Sequence, residues 1–130
     1  MKSRESHKSV IVAVAREPLW RVLRHSLLAV GVEAEWARSH GELLRCCSRH
    51  RYRLIISSFV APLVARGGEV ERLRGRGRTT HLFILAHTRD ERVVVTLLER
   101  GVNQFLTLPV SLGRLCRKVK CELEKYQPLC

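Results

Sequence analysis

The sequence predicts an α/β fold: a doubly wound, five-stranded parallel sheet of order 2-1-3-4-5 with five helices. Three observations carry this expectation. Short apolar runs alternate with amphipathic helical stretches along all 130 residues. The runs SVIVAVA, LIIS and LFILA are apolar at nearly every position, as strands covered on both faces are. Right-handed crossovers between parallel strands then place helices on both sides of the sheet, and 2-1-3-4-5 is a common order at this size.

The first strand is predicted over Ser9–Ala15. Glu17-Pro18 opens the first helix, because proline is tolerated in a first turn. Leu19, Leu23, Leu27 and Val30 fall on one stripe, and Gly31 closes the helix. Val32–Trp36 is a second, shorter strand. Ser39 caps a helix over Gly41–Arg51, with Leu43, Leu44 and Cys47 inward. Leu54–Ser57 is the third strand, Phe59–Gly67 a loop, and Gly68–Arg74 a short helix. Arg74-Gly-Arg-Gly-Arg78 is a basic turn. Leu82–Ala86 is the fourth strand. A helix over Asp90–Arg100 bears Val93, Val94, Leu97 and Leu98 and is closed by Gly101. Gln104–Thr107 is the fifth strand, broken by Leu108-Pro109. Ser111 caps the last helix, with Leu112, Leu115, Cys116, Val119 and Leu123 on one side.

This length suits one core, and 45% hydrophobic with 28% charged residues is a globular balance. Residues 1–8 read as a basic lead, residues 9–126 as the domain, and residues 127–130 as a tail or the start of a linker. No apolar run approaches the roughly 20 residues of a membrane span, and the N-terminus lacks the apolar core of a secretory signal. The expected compartment is the cytoplasm, without membrane insertion. Five cysteines with no CxxC pair make a poor disulfide framework. Helix geometry offers Cys46 and Cys47 a partner in His50, but two ligands on one turn do not close a metal shell, so no metal is expected. No cofactor is expected either. The nucleophile elbow GxSxG and the phosphate loop GxxxxGK[ST] are both missing.

The formal charge is +12, from 24 Lys and Arg against 12 Asp and Glu. The basic residues cluster at Arg45, Arg49, Arg51 and Arg53, at Arg72, Arg74, Arg76 and Arg78, and at Arg114, Arg117, Lys118, Lys120 and Lys125. This excess points to an acidic protein partner or to nucleic acid. No helix-turn-helix, zinc finger or aromatic platform accompanies it.

Folds of this kind bind ligands at the carboxyl ends of the strands, near the switch point between strands one and three. Ala15, Arg16 and Ser58 stand there. Val12-Ala-Val-Ala-Arg-Glu-Pro18, Tyr52–Pro62 and Gly101-Val-Asn-Gln-Phe-Leu-Thr-Leu-Pro109 resemble the first strand, the third strand and the fifth strand of response-regulator receiver domains. The resemblance spans Ser9 to Lys125 and implies the flavodoxin-like version of the predicted fold. It also implies a phosphorylation site, with two metal-binding acids at Ala15 and Arg16, a phosphoacceptor at Ser58, a hydroxyl at Ala86 and a lysine at Leu108. None of the five carries the family's residue. Magnesium wants carboxylate oxygens, serine is a weak nucleophile without a base, and leucine neutralises no phosphoryl oxygen. No catalytic residue is therefore assigned.

The family's switch aromatic falls at Phe105, and Pro109 is a candidate cis-proline. Arg16 has three readings: a solvated arginine, a latch held by Ser58 or Glu17, or part of an anion site. His87 lies near the same place. The chain is expected to be a degenerate, phosphorylation-independent receiver: a signalling module, not an enzyme, that works by protein contact. It would be the N-terminal regulatory domain of a DNA-binding response regulator whose output domain lies outside this sequence. The family's homodimer face, helix 4–strand 5–helix 5, maps to Val95, Leu98, Phe105, Arg117 and Lys118. The alternative is direct binding of nucleic acid by the basic surface.

Overall fold

The structure, a computed structural model, describes residues 9–75, 77, 79–87, 90–109 and 111–124. The basic lead, the tail, Arg76, Arg78 and Lys125 lie outside the described residues. In chain order the elements are β1 (Val10–Ala13), α1 (Glu17–Ala29), β2 (Ala34–Ala37), α2 (His40–Arg49), β3 (Leu54–Ser57), α3 (Ala61–Ala65), α4 (Glu69–Arg74), β4 (His81–Ala86), α5 (Glu91–Glu99), β5 (Gln104–Thr107) and α6 (Leu112–Glu124). All four strand pairings are parallel, and the order is β2-β1-β3-β4-β5. This is the predicted sheet.

Alternation along each strand divides the core in two. Val10, Val12, Leu54, Ile56, Phe83 and Leu85 pack with Leu23 and Leu27 of α1 and Leu115 and Val119 of α6. Ile11, Ala13, Ile55, Leu82 and Ile84 pack with Leu43, Leu63, Val70 and Leu97 of α2 to α5. A fully buried aliphatic side chain contributes about 1.5–3 kcal/mol. An exposed ion pair such as Arg21–Glu17, at 2.9 Å, contributes at most about 1 kcal/mol. Burial on both faces of the sheet therefore dominates the stability.

The crossover helices α1 and α5 end by the same device. Gly31 and Gly101 sit at φ 83° and 113°. The N–H of each donates to the carbonyl two residues before the cap, at Leu28 and Leu98, and the next N–H reaches Leu27 and Leu97. The residues that follow, Val32 and Val102, are buried. This is the Schellman arrangement, which satisfies the last carbonyls and turns the chain toward the sheet. It also explains why β2 starts at Ala34 rather than Val32. Residues 31 and 32 belong to the helix stop, and pairing with β1 begins at Ala34 opposite Val10.

The expectation of five helices needs one correction. The stretch Phe59–Gly67, read as a loop, contains the helix α3. Its start has no side-chain cap, so the usual signal is missing. Arg100 from α5 supplies the support instead. Its guanidinium donates to the carbonyls of Leu63 at 2.5 Å and Val64 at 2.9 Å. Leu97 occupies the core side of α5, and Leu98, named for the partner face, is 45% exposed. One further reading changes. Arg74 is buried, not a solvated base, and donates to the carbonyls of Thr80 and Gly101.

Cys46 and Cys47 are free thiols. Burial, then the neighbouring Cys46, pushes the Cys47 thiol from 9.0 up to about 12. It stays protonated near neutrality, and the thiolate is the form that binds metal. Among the described residues no group of three or more His, Cys, Asp and Glu side chains could hold a metal ion.

The conformation of Gly31 gives a test. No atom lies within 4 Å of where its Cβ would stand, so an alanine there meets only backbone strain. Gly31→Ala is expected to lower unfolding free energy in urea by about 1–2 kcal/mol. Gly67→Ala, equally uncrowded and outside the left-handed region, should change it by less than about 0.5 kcal/mol.

Candidate functional site

The site forms where β1, β3 and β4 deliver their carboxyl ends. β1 stops at Ala13, and the Val14 N–H still bonds the Ala37 carbonyl of β2 at 3.1 Å. The Val14 carbonyl accepts from the Trp36 indole N–H at 2.9 Å. Trp36 is itself stacked on Trp20 with ring centroids 5.5 Å apart, and the Arg38 guanidinium lies 4.5 Å from its ring centre. These contacts fix the turn that presents Ala15 and Arg16. Arg16 is the cap residue of α1, in an extended conformation, and no side chain accepts from the exposed N–H groups there.

From β3, the Ser58 N–H bonds the Ala13 carbonyl at 3.0 Å, so the two strand ends lie side by side. The neighbouring Ser57 hydroxyl is buried and accepts from the Phe59 N–H at 3.0 Å. That bond turns the chain away from the sheet toward α3. From β4, the Ala86 carbonyl accepts from the Leu108 N–H at 2.7 Å, and Leu108-Pro109 is a cis peptide.

The result is one cavity of about 640 Å³. All five positions singled out in the sequence, Ala15, Arg16, Ser58, Ala86 and Leu108, line it. His87 lines it too. Sequence reasoning missed the remaining walls, which are Leu19 of α1, Val60, Ala61 and Val64 at α3, Leu85 of β4 and Val93 of α5. The spacing of Val60 and Val64 would have pointed to them once α3 was recognised as a helix. No carboxylate and no lysine lines the cavity among the described residues. The wall is hydrocarbon with one guanidinium, one hydroxyl and one imidazole.

Among the described residues no hydrogen bond or ion pair engages the Arg16 side chain. Glu17, one of the two residues named for a latch, is held by Arg21 at 2.9 and 3.2 Å. Phe105 does not reach the cavity. It is half-buried on β5 and packs on the α2–α5 side of the sheet.

The residues of the expected partner face fall into two groups. Val95 and Leu98 are exposed on α5, at 51% and 45%. Arg117 and Lys118 of α6 line a groove of about 460 Å³ with Gln104, Arg114 and Glu122. A further cavity of about 330 Å³ opens between the end of α2 and α4. Arg49, His50, Arg51 and Arg72 line it, with no carboxylate among its walls.

No family model matches the sequence, and no curated protein matches it either. Solved structures do resemble it. The receiver domain of a Francisella response regulator superposes with a TM-score of 0.79 at 19% identity, over 93% of this chain and 100% of that one. An atypical orphan response regulator, described as having a phosphorylation-independent regulatory mechanism, gives 0.78 at 16% identity, over 92% and 98%. A response regulator from Thermotoga maritima gives 0.76 at 17% identity, over 91% and 99%. The described chain has the fold of a response-regulator receiver domain.

Proposed function

We propose that this protein is a phosphorylation-independent signalling module of the two-component type that acts through protein contact. The observation that carries this reading is the composition of the carboxyl-edge cavity. Among the described residues its walls hold no metal-binding carboxylate and no lysine, and no hydrogen bond joins the hydroxyl of Ser58 to the one imidazole there, that of His87. Phosphoryl transfer needs a cation and counter-charges around the transferred group. An arginine standing at one of the two metal-binding positions repels the cation. The protein is accordingly not an enzyme in this reading, and it works in the cytoplasm. No described helix is long and apolar enough to cross a membrane.

The contact surface is assigned to α5, β5 and α6. Val95 and Leu98 are apolar side chains left exposed on a helix whose other side is packed, which is how interaction surfaces present themselves. Arg117 and Lys118 of α6 add positive charge suited to an acidic partner or to the acidic side chains of a second copy. The module would sit N-terminal to a DNA-binding output domain.

A second reading is direct binding of nucleic acid. The cavity lined by Arg49, Arg51 and Arg72, in a chain of charge +12, supports it.

Three measurements separate these readings. Incubation with acetyl phosphate and magnesium should leave the intact mass unchanged, whereas a phosphoryl adduct on Ser58 would refute phosphorylation independence. Wild-type protein should sediment as a dimer, and Val95→Glu with Leu98→Glu should yield a folded monomer; a wild-type monomer would remove this face from the proposal. Labelled duplex DNA at low salt should bind weakly or not at all. Tight binding that falls steeply with salt and disappears in Arg49→Ala with Arg72→Ala would establish the second reading instead.

A further inference from the structure

The carboxyl-edge cavity is large and mostly apolar, and the guanidinium of Arg16 stands in its wall. Its volume of about 640 Å³ lies within the range of about 300–1,000 Å³ typical of small-molecule sites. Nine of its twelve lining residues are hydrocarbon. Such a wall accepts an apolar body and suits a sugar or a string of phosphates poorly, because its few donors cannot satisfy so many oxygens.

The polar groups are few and they agree in sign. Arg16 has no acidic partner. Its planar fork matches the two oxygens of a carboxylate. Arg16 and Leu19 both line the cavity, so the first turn of α1 opens onto it. That 13-residue helix has no side-chain acceptor at its start. Its first-turn N–H groups, which Pro18 lacks, add positive potential where Arg16 already stands, and the carboxylate of Glu17 in the same turn is engaged by Arg21. A carboxylate placed there would supply the missing cap. Ser58 and His87 offer further hydrogen bonds from the adjoining walls.

We propose that this cavity binds a small amphipathic carboxylate, a medium-chain or aryl carboxylic acid. The acid head lies between Arg16 and the start of α1, and the hydrocarbon lies against Val60, Val64, Val93 and Leu108. The assignment deepens the reading given above, because it rests on a site that holds no phosphoryl group and names what fills it instead. The two stand or fall on different signals: phosphoryl transfer is read by mass, and acid binding by heat and amide shifts.

The test uses the full chain, titrated by calorimetry with decanoate and with 1-naphthaleneacetate. Decanol serves as the uncharged control, and backbone amide shifts locate the site. At least one acid should saturate, with shifts at Ala15, Arg16, Ser58 and Ala86, and decanol should bind at least ten-fold more weakly than decanoate. Arg16→Gln should weaken acid binding at least ten-fold and leave decanol unchanged. It removes a side chain that contacts no other group by hydrogen bond or ion pair, so the fold, checked by circular dichroism, should persist. Val64→Trp, at the exposed rim, should obstruct both acids. Arg49→Gln, a charge on another part of the molecule, should change nothing. The proposal fails if neither acid saturates, if Arg16→Gln binds as tightly as wild type, if Arg49→Gln weakens binding equally, or if the amide shifts cluster elsewhere.

Discussion

Backbone pairing between β1 and β3 is the interaction from which the rest of the molecule follows. Both strands are fully buried, and their register sets Val10 beside Leu54 and Ala13 beside Ser57. One more bond, from the Ser58 N–H to the Ala13 carbonyl, extends the alignment past the strand ends. A slip of one residue would turn every side chain of a strand to the opposite face. The register therefore fixes two things together. It sorts Val12 and Ile56 toward α1 and α6 but Ile11 and Ile55 toward α2–α5. It also brings Ala15, Arg16 and Ser58 to one place, although more than 40 residues of chain separate Arg16 from Ser58.

The sheet was legible because its evidence is local. Runs such as LFILA are apolar at consecutive positions, and the glycine stops at Gly31 and Gly101 announce where the crossover helices end. What escaped the sequence depends on partners far along the chain. The helix α3 has no capping residue of its own and leans on Arg100. Arg74 reads as one more surface base among its neighbours, yet it is drawn inward by the carbonyls of Thr80 and Gly101. In both cases contacts from outside the element decide, and periodicity carries no record of them.

The site divides in the same way. Its five family positions follow from strand ends and spacing, so their convergence on one cavity could be read in advance. The size and character of that cavity could not. They depend on side chains from α1, α3 and α5 whose packing no motif encodes. The same holds for the sign of its charge. Arg16 in an acidic position suggests an internal pairing, but Glu17 is taken by Arg21 one helical turn on. The site is a hydrocarbon pocket with one guanidinium in its wall.

The helix α5 borders that pocket on one side and solvent on the other. Val93 forms part of the cavity wall, while Val95 and Leu98, less than two turns along, are the exposed apolar residues. At its far end Arg100 grips the last carbonyls of α3, the helix that contributes Val64 to the same wall. One nine-residue helix therefore supplies both a wall of the pocket and an apolar patch of the surface, and the guanidinium of Arg100 ties it to α3.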